Sequence, residues 1–584
     1  MLLIDFDSDL NRFVCNTKTP EDRRAGIDAL RKIRSGSSFS VDGGRLVLTE
    51  PVALGVRQDE ASGTFNWTEG AARMADTLLR NITDAPKARA RVALLQQPGE
   101  ADQALDDYDL REVLDQHQRV AVAAMTDPLV HGICLFDEQG AGKTVMSIHA
   151  FDRLRKLDMA DSLLIFAPKN MLGEWQKDFR QFTGTAYKVT AVSGSKEDKY
   201  VDLIAPSDVY VTNYETAVNL EATLSSLVSR NRGRVTLIVD ESFFVKNRDA
   251  KRSAAIRRIR SMCERCWMLC GTPAPNDASD VVHQFDIADA GITFADVTLP
   301  QDPAAIQQVV RQTITEKGVY LRRLKTDVLP DLPPKSFHRI QTTLTGDQAE
   351  LYRRHLEELA RDVDRTTDDE FKANLTSFMA RRVRLLQICS CPDQVDPSCI
   401  EVPSKLLAMD QMLRNLIEEQ NEKVIVWSFF RRSVESIFQR YARYNPVRID
   451  GSVSDTAARA EAVRRFQTDD DTMLFVANPA AAGAGLTLTR SRIAIYESFS
   501  PQAAHYMQSL DRIHRRGQGR GVDYYILLSE GTIEEDEYDR LLRKEQQAAD
   551  LFGDPIAQPV RRELFLRELL EGLRKFRDIG VVAV

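Results

Sequence analysis

The sequence predicts an α/β protein: two parallel-sheet lobes in tandem with helical insertions, a small N-terminal accessory region and a helical C-terminal tail. Three observations carry this expectation. Short apolar runs of the fully buried kind alternate with helical segments in two separate stretches, the grammar of parallel strands joined by crossover helices. A glycine-rich loop, Asp137-Glu-Gln-Gly-Ala-Gly-Lys-Thr144, directly follows the first of those runs. The length, 584 residues, gives room for about three to five domains of roughly 100–200 residues.

Residues 1–105 form the accessory region, where short apolar runs and Gly or Asp turns (Val41 to Arg45, Ser62-Gly63) lead into a helix predicted from Thr68 to about Arg91. The first lobe takes residues 106–318, with strands at Ile133 to Phe136, Leu163 to Ala167, Val209 to Thr212 and Thr236 to Val239. A helical insertion interrupts it from about residue 277 to 318. The second lobe takes residues 319–545, with strands at Val424 to Trp427, Met473 to Val476, Ile493 to Tyr496 and Tyr524 to Leu528. Leu351, His355, Leu356 and Leu359 keep helical spacing in its insertion, about residues 345–391. The tail, residues 546–584, is charged and helical.

Composition excludes several classes. Hydrophobic residues make up 43% and charged residues 28%, the balance of a soluble globular chain, and no apolar run approaches the ~20 residues of a membrane helix. Asp5, Asp7 and Asp9 stand where a secretory signal would carry basic residues. Eight cysteines are too sparse for a disulfide framework, so reduced thiols and a cytoplasmic location are expected, nucleoid-associated in a bacterium or in the host cytoplasm for a phage protein. With a formal net charge of -8, a polyanionic partner has to be held by a local basic groove.

The loop has the context that phosphate binding requires, a strand before it and a helix-like Val145 to Leu157 after it. Gly140 and Gly142 let backbone N–H groups curl round phosphate oxygens, Lys143 sets a cation against the β and γ phosphates, and Thr144 offers a hydroxyl to Mg²⁺. The strand Leu237 to Val239 ends in Asp240-Glu241. Carboxylates there are costly to desolvate unless they meet a cation, so Asp240 reads as the Mg²⁺ partner and Glu241 as the group that orients or activates water.

At this point the residues resemble the Swi/Snf family of superfamily two helicase-like ATPases. Leu114-Asp-Gln-His-Gln118 looks like an adenine-reading glutamine motif, and Ala167-Pro-Lys-Asn-Met-Leu-Gly-Glu-Trp175, Val211-Thr-Asn-Tyr-Glu215, Asp240-Glu-Ser-Phe-Phe-Val-Lys-Asn247 and Leu269-Cys-Gly-Thr-Pro-Ala-Pro-Asn276 look like the motifs that follow. The run Tyr320 to Lys335 and Leu386-Gln-Ile-Cys-Ser-Cys-Pro392 resemble segments that generic helicases lack. Val424-Ile-Val-Trp-Ser428, Ile449-Asp-Gly-Ser452, Ala481 to Thr489, Gln508 to Gln518 and Gly531-Thr-Ile-Glu-Glu535 complete the order. The resemblance spans about residues 109–544 and implies two RecA-like lobes, ATP and Mg²⁺ as cofactors, and translocation on double-stranded DNA. It implies that Gln118 and Gln508 contact nucleotide and that Arg512 and Arg515, three apart on one helical face, act as arginine fingers. Asn170, Thr212, Asn213, Ser452 and Thr489 are the strand-end groups it assigns to backbone phosphates. Protein partners in a repair, transcription or defence complex, and no membrane, complete the expectation. The competing readings are a strand-separating or annealing helicase on DNA or RNA, and a nucleotide-gated scaffold in an antiphage or repair complex.

The chain departs from the family at Phe243, where histidine is usual, at Pro275, where glutamine is usual, and at Ala480, where arginine is common. Phe243 and Pro275 offer no side-chain donor or acceptor, so apolar packing is expected to replace a hydrogen-bonded link between nucleotide site and DNA track. Cys263, Cys266 and Cys270 lack a fourth ligand within reach in sequence and read as buried thiols. Trp175 and Tyr214 read as buttresses of their motifs rather than base-stacking platforms.

Overall fold

The computed structural model describes residues 2–7, 12–32, 39–58, 63–231, 233–271, 273–274, 278–344, 346–452, 456–482, 486–500, 502–549 and 562–578. The chain forms two compact units. The first comprises Met1–Glu138, Gly142–Ala274 and Ala278–Arg323, and the second is built on Leu324–Val584.

The first unit holds two sheets. The smaller has five strands in the order Phe39–Asp42, Arg45–Leu48, Arg12–Asn16, Leu2–Asp7, Phe65–Trp67, all antiparallel except the last pair. Helix Glu69–Leu95 begins at Thr68, whose hydroxyl accepts the Ala71 N–H at 3.2 Å, an N-cap of ordinary kind. Its first turns bury Ala71, Ala75 and Leu78 in the core of the small sheet. Its last turns bury Ala88, Val92 and Leu95 in the core of the large one. One helix thus spans both cores and ties residues 1–105 into this unit.

The larger sheet is wholly parallel, in the order Tyr320–Leu321, Gly132–Leu135, Arg265–Leu269, Val235–Asp240, Ser162–Phe166, Val209–Thr212, Val189–Ala191. Its middle strands are buried at every residue, which is why they read as continuous apolar runs. The expected strands fall within one or two residues of those observed. Arg265–Leu269 opens on a buried arginine whose guanidinium donates to the carbonyls of Asp127, at 2.9 Å, and Val130. The insertion is helical as expected, at Ser279–Ala288 and Pro303–Lys317.

The second unit carries a six-stranded parallel sheet in the order Lys335–Thr342, Val522–Ser529, Ile493–Tyr496, Val424–Trp427, Leu474–Ala477, Val447–Ile449. Its helical insertion folds as Gly346–Asp364, Asp368–Ala373 and Leu375–Ser390. The tail helix Arg562–Asp578 packs Phe565, Leu569 and Phe576 into the same core as Leu356, Leu359 and Leu385 of that insertion. Buried Arg382 bridges Glu537 at 2.8 Å and Glu568 at 2.9 Å, so insertion, tail and helix Ile533–Ala549 form one helical layer.

All eight cysteines are free and buried. Among the described residues no group of His, Cys, Asp or Glu is placed to hold a metal ion by itself, Cys263, Cys266 and Cys270 included. Among them, too, no helix is long and apolar enough to cross a membrane.

A fully buried ion pair supports the second sheet: Lys405 donates to Glu534 and to the Glu497 carbonyl, both at 2.6 Å. Glu534 also accepts the Ser529 N–H at 2.9 Å. Removing one partner leaves a charge stranded in the core, so Lys405→Ala is expected to cost about 3–5 kcal/mol in urea denaturation. The Lys405→Met, Glu534→Leu pair is expected to regain most of that loss.

Candidate nucleotide site

The strand Gly132–Leu135 delivers the chain to the phosphate loop, and helix Lys143–Lys156 leaves it. Gly140 and Gly142 have φ of +85° and +90°, values that L side chains rarely adopt. Gly142 is constrained twice, because a Cβ there would lie 2.5 Å from Gln118 Nε2. Gln118 sits in the first turn of helix Gln116–Thr126, and its carbonyl accepts the Asp115 N–H at 3.0 Å in a capping box. The expected adenine reader therefore stands against the loop with its oxygen engaged and its amide nitrogen toward Gly142. The Lys143 ammonium is turned into the loop and donates to the carbonyls of Asp137 at 2.7 Å and Glu138 at 3.3 Å.

Asp137, where a full Walker pattern has glycine, is completely buried and takes both arms of the Arg323 guanidinium, Nε at 2.9 Å. Its neighbour Arg322 donates to the carbonyls of Phe136 at 2.5 Å and Gly271 at 3.1 Å. Strand Tyr320–Leu321, which pairs with the phosphate-loop strand, places both arginines there. In the sequence Leu321-Arg-Arg323 is legible only as a family marker, because the partner carboxylate lies 186 residues away.

The acidic pair ends the buried strand Val235–Asp240. Oδ2 of Asp240 accepts the Trp175 indole N–H at 2.9 Å, Oδ1 accepts the Glu241 N–H at 2.9 Å, and its main-chain oxygen accepts the Tyr214 hydroxyl. Glu241 has φ +52°, a left-handed conformation costing about 1–2 kcal/mol for a residue with a side chain, and strain of this kind collects at functional positions. Burial pushes the Asp240 carboxyl above the usual range, against the Trp175 hydrogen bond, the Lys143 charge and the Glu241 N–H. Each Asp240 oxygen keeps a lone-pair position. These oxygens, like the Thr144 hydroxyl at the start of helix Lys143–Lys156, are hard donors of the kind Mg²⁺ takes, and its charge would compensate the buried carboxylate.

Apolar packing is expected at Phe243 and Pro275, of which Pro275 lies outside the described residues. Phe243 does stack on Phe244 at 4.6 Å. A polar link persists one residue earlier, however: Ser242 donates to Gln284 Oε1 at 2.5 Å, and Gln284 Nε2 donates to the Pro273 carbonyl at 2.5 Å. Gln284 lies on helix Ser279–Ala288 and is buried. Thr272, Pro275 and Asn276 lie outside the described residues, as do Gly483 and Gly485 of the Ala481 to Thr489 motif.

In the second unit Gln508 is buried on helix Ala503–Leu510. The helical face expected for Arg512 and Arg515 is corrected, since that helix ends at Leu510 and the two arginines lie on consecutive turns. The carbonyls a continuing helix would use are taken from outside: that of Arg512 by the Leu488 N–H at 2.9 Å, that of His514 by Lys325 Nζ at 2.9 Å. Lys325 also pairs with Asp511. The two guanidinium groups nevertheless converge, both donating to the Leu486 carbonyl, at 3.3 and 3.4 Å.

Of the residues assigned to DNA phosphates, Asn170 and Ser452 are exposed and Thr489 is half-buried. Thr212 and Asn213 are buried, and the Asn213 carbonyl caps the next helix through the Thr216 N–H at 3.1 Å. The Thr212 hydroxyl is buried without a hydrogen-bond partner among the described residues, and only the side-chain oxygen of Asn213 is used in the cap. Trp175 and Tyr214, read as buttresses, are both buried and both donate to Asp240.

Comparison with known proteins agrees with this architecture. Residues 115–394 match the SNF2-related domain and residues 405–517 the helicase conserved C-terminal domain, together more than half of the chain. A human protein, SWI/SNF-related matrix-associated actin-dependent regulator of chromatin subfamily A member 1, is 26% identical over 434 residues, 70% of this chain and 40% of its own length. The human DNA annealing helicase and endonuclease ZRANB3 is 26% identical over 438 residues, 71% of this chain and 38% of its own. The chain thus spans about two fifths of the length of the curated relatives it matches. Among solved structures, the Sulfolobus solfataricus SWI2/SNF2 ATPase core in complex with dsDNA aligns with 20% identity and a TM-score of 0.34, covering 81% of this chain and 97% of that one.

Two outcomes follow from the loop geometry. Arg323→Ala leaves the buried Asp137 carboxylate uncompensated and is expected to destabilise the first unit by about 3–5 kcal/mol, measured by urea denaturation. Gly142→Ala is expected to abolish ATP binding in calorimetry while melting falls only a few degrees, because the strain is confined to a loop and one glutamine side chain.

Proposed function

Since the chain belongs to the Swi/Snf family of helicase-like ATPases, we propose that it hydrolyses ATP with Mg²⁺ and uses the cycle to translocate on double-stranded DNA. The observation that carries this reading is the conjunction of the Lys143 loop with the Asp240-Glu241 pair at the carboxyl ends of one parallel sheet, where such folds bind nucleotides. Gln118 borders the base side of the site. Lys143 exchanges its carbonyl partners for phosphate oxygens, and Thr144 and Asp240 hold the metal. Mg²⁺ supplies charge neutralisation at the β and γ phosphates. Glu241, fixed by its left-handed backbone, orients the attacking water. Arg512 and Arg515, gathered on the Leu486 carbonyl, are the cations offered to the transition state.

Duplex would be held through backbone phosphates near Asn170, Thr212, Asn213, Ser452 and Thr489, independently of sequence. Work on protein-bound or branched DNA, in a repair, transcription or defence complex, suits a motor with this net charge and local contacts. Duplex DNA is expected to stimulate the ATPase more than single strands or duplex RNA of equal length, with affinity falling steeply as salt rises. Lys143→Ala should abolish turnover without lowering the melting temperature. The wild type should release a triplex-forming third strand from an intact duplex, whereas Glu241→Gln should bind and not move. Separation of the duplex itself would select the helicase reading instead.

A further inference from the structure

Two aromatic donors join the Asp240 carboxylate to the segments proposed to meet DNA. Trp175 lies on helix Leu172–Thr183, which the chain enters from the turn Lys169–Met171 that exposes Asn170. Its ring is buried and its N–H reaches Asp240 Oδ2 at 2.9 Å. Tyr214 directly follows Thr212-Asn213 and opens helix Tyr214–Asn219. Its hydroxyl donates to the main-chain oxygen of Asp240, and its ring lies 5.3 Å from that of Phe244 in the acidic box. Side chain and main chain of one residue are therefore each held from a different crossover connection.

Burial alone does not account for this. Trp267 and Trp427 are equally buried, yet among the described residues their indole nitrogens have no acceptor. The Trp175 N–H, by contrast, meets a carboxylate, a charge-assisted bond that fixes rotation about the last side-chain torsion of Asp240. Tyr214 restrains the peptide that leads to Glu241, the residue in the left-handed conformation. Donors of this kind, one shell out from a metal ligand, orient it and are commonly worth 10- to 100-fold in affinity or activity.

Resting on the ATPase reading above, we infer that Trp175 and Tyr214 are positioning residues that orient Asp240 for Mg²⁺ and relay to it any shift of the Asn170 and Thr212-Asn213 segments when duplex binds.

The test is a magnesium titration of the full chain with ATP, with and without duplex DNA, on the wild type, Trp175→Phe and Tyr214→Phe. Half-saturating Mg²⁺ is expected to rise about 10- to 100-fold in Trp175→Phe, and the duplex stimulation factor to fall in both variants. The indole N–H resonances give a readout besides turnover: of the four tryptophans, the resonance missing in Trp175→Phe should move when Mg²⁺ joins ATP-bound wild type. Should Trp175→Phe not fold, the Trp175 resonance is assigned by exclusion from Trp67→Phe, Trp267→Phe and Trp427→Phe and decides the tryptophan's role, and Tyr214→Phe, which loses one oxygen, decides the tyrosine's. Folded variants with wild-type magnesium dependence and wild-type stimulation, or an indifferent resonance, would overturn the inference while leaving the ATPase reading intact. A wild type that binds no ATP with Mg²⁺ would overturn both.

Discussion

A carboxylate at the end of a strand with no exposed residue, as Asp240 is, must find its hydrogen bonds inside the protein or forfeit several kcal/mol of solvation. Much of the first unit is arranged round that requirement. The indole of Trp175, the hydroxyl of Tyr214 and the N–H of Glu241 all arrive there, each from a different connection at the same edge of the sheet. The second buried carboxylate of the site, Asp137, is met in the same way by Arg323. Two fixed anionic points then flank the place where Lys143 and the helix N-terminus supply positive charge. A nucleotide with its metal would complete a charge pattern that the protein alone only partly balances.

Wholly parallel sheets impose a second constraint, since both faces must be covered by crossover helices. Each unit draws on chain outside its central sheet for that cover. In the first, helix Glu69–Leu95 contributes Ala88, Val92 and Leu95 to the large core. In the second, the tail helix Arg562–Asp578 seals the insertion helices, with Arg382 held between Glu537 and Glu568. Both flanking segments, which carry no catalytic pattern, are structural parts of their units.

What could be read in advance follows from how local the signal was. Continuous apolar strands such as Leu163 to Phe166 and Ile493 to Tyr496, and the phosphate loop between strand and helix, declare themselves within a dozen residues. The strand Lys335–Thr342 did not, because it lies at the sheet edge and exposes half of its residues. Arg265–Leu269 opens on a charge that only distant carbonyls explain. The supporting residues of the site were illegible for the same reason: Trp175 finds Asp240 65 positions away, Gln284 finds Ser242 42 positions away, and Arg323 finds Asp137 186 positions away. For Arg512 and Arg515 a spacing of three suggested a helix, and tertiary demands on two carbonyls removed it.

The burial of every cysteine has a practical side. Thiols enclosed in apolar surroundings, with burial raising the pKa of each of Cys134, Cys263, Cys266 and Cys389, are poor nucleophiles toward maleimides and iodoacetamides. The native chain is therefore a quiet background for labelling. A cysteine introduced at an exposed position such as Asn170 or Ser452 would be the preferred site for a fluorophore, and the proposed movement along DNA could be tested one molecule at a time without first stripping the chain's own thiols.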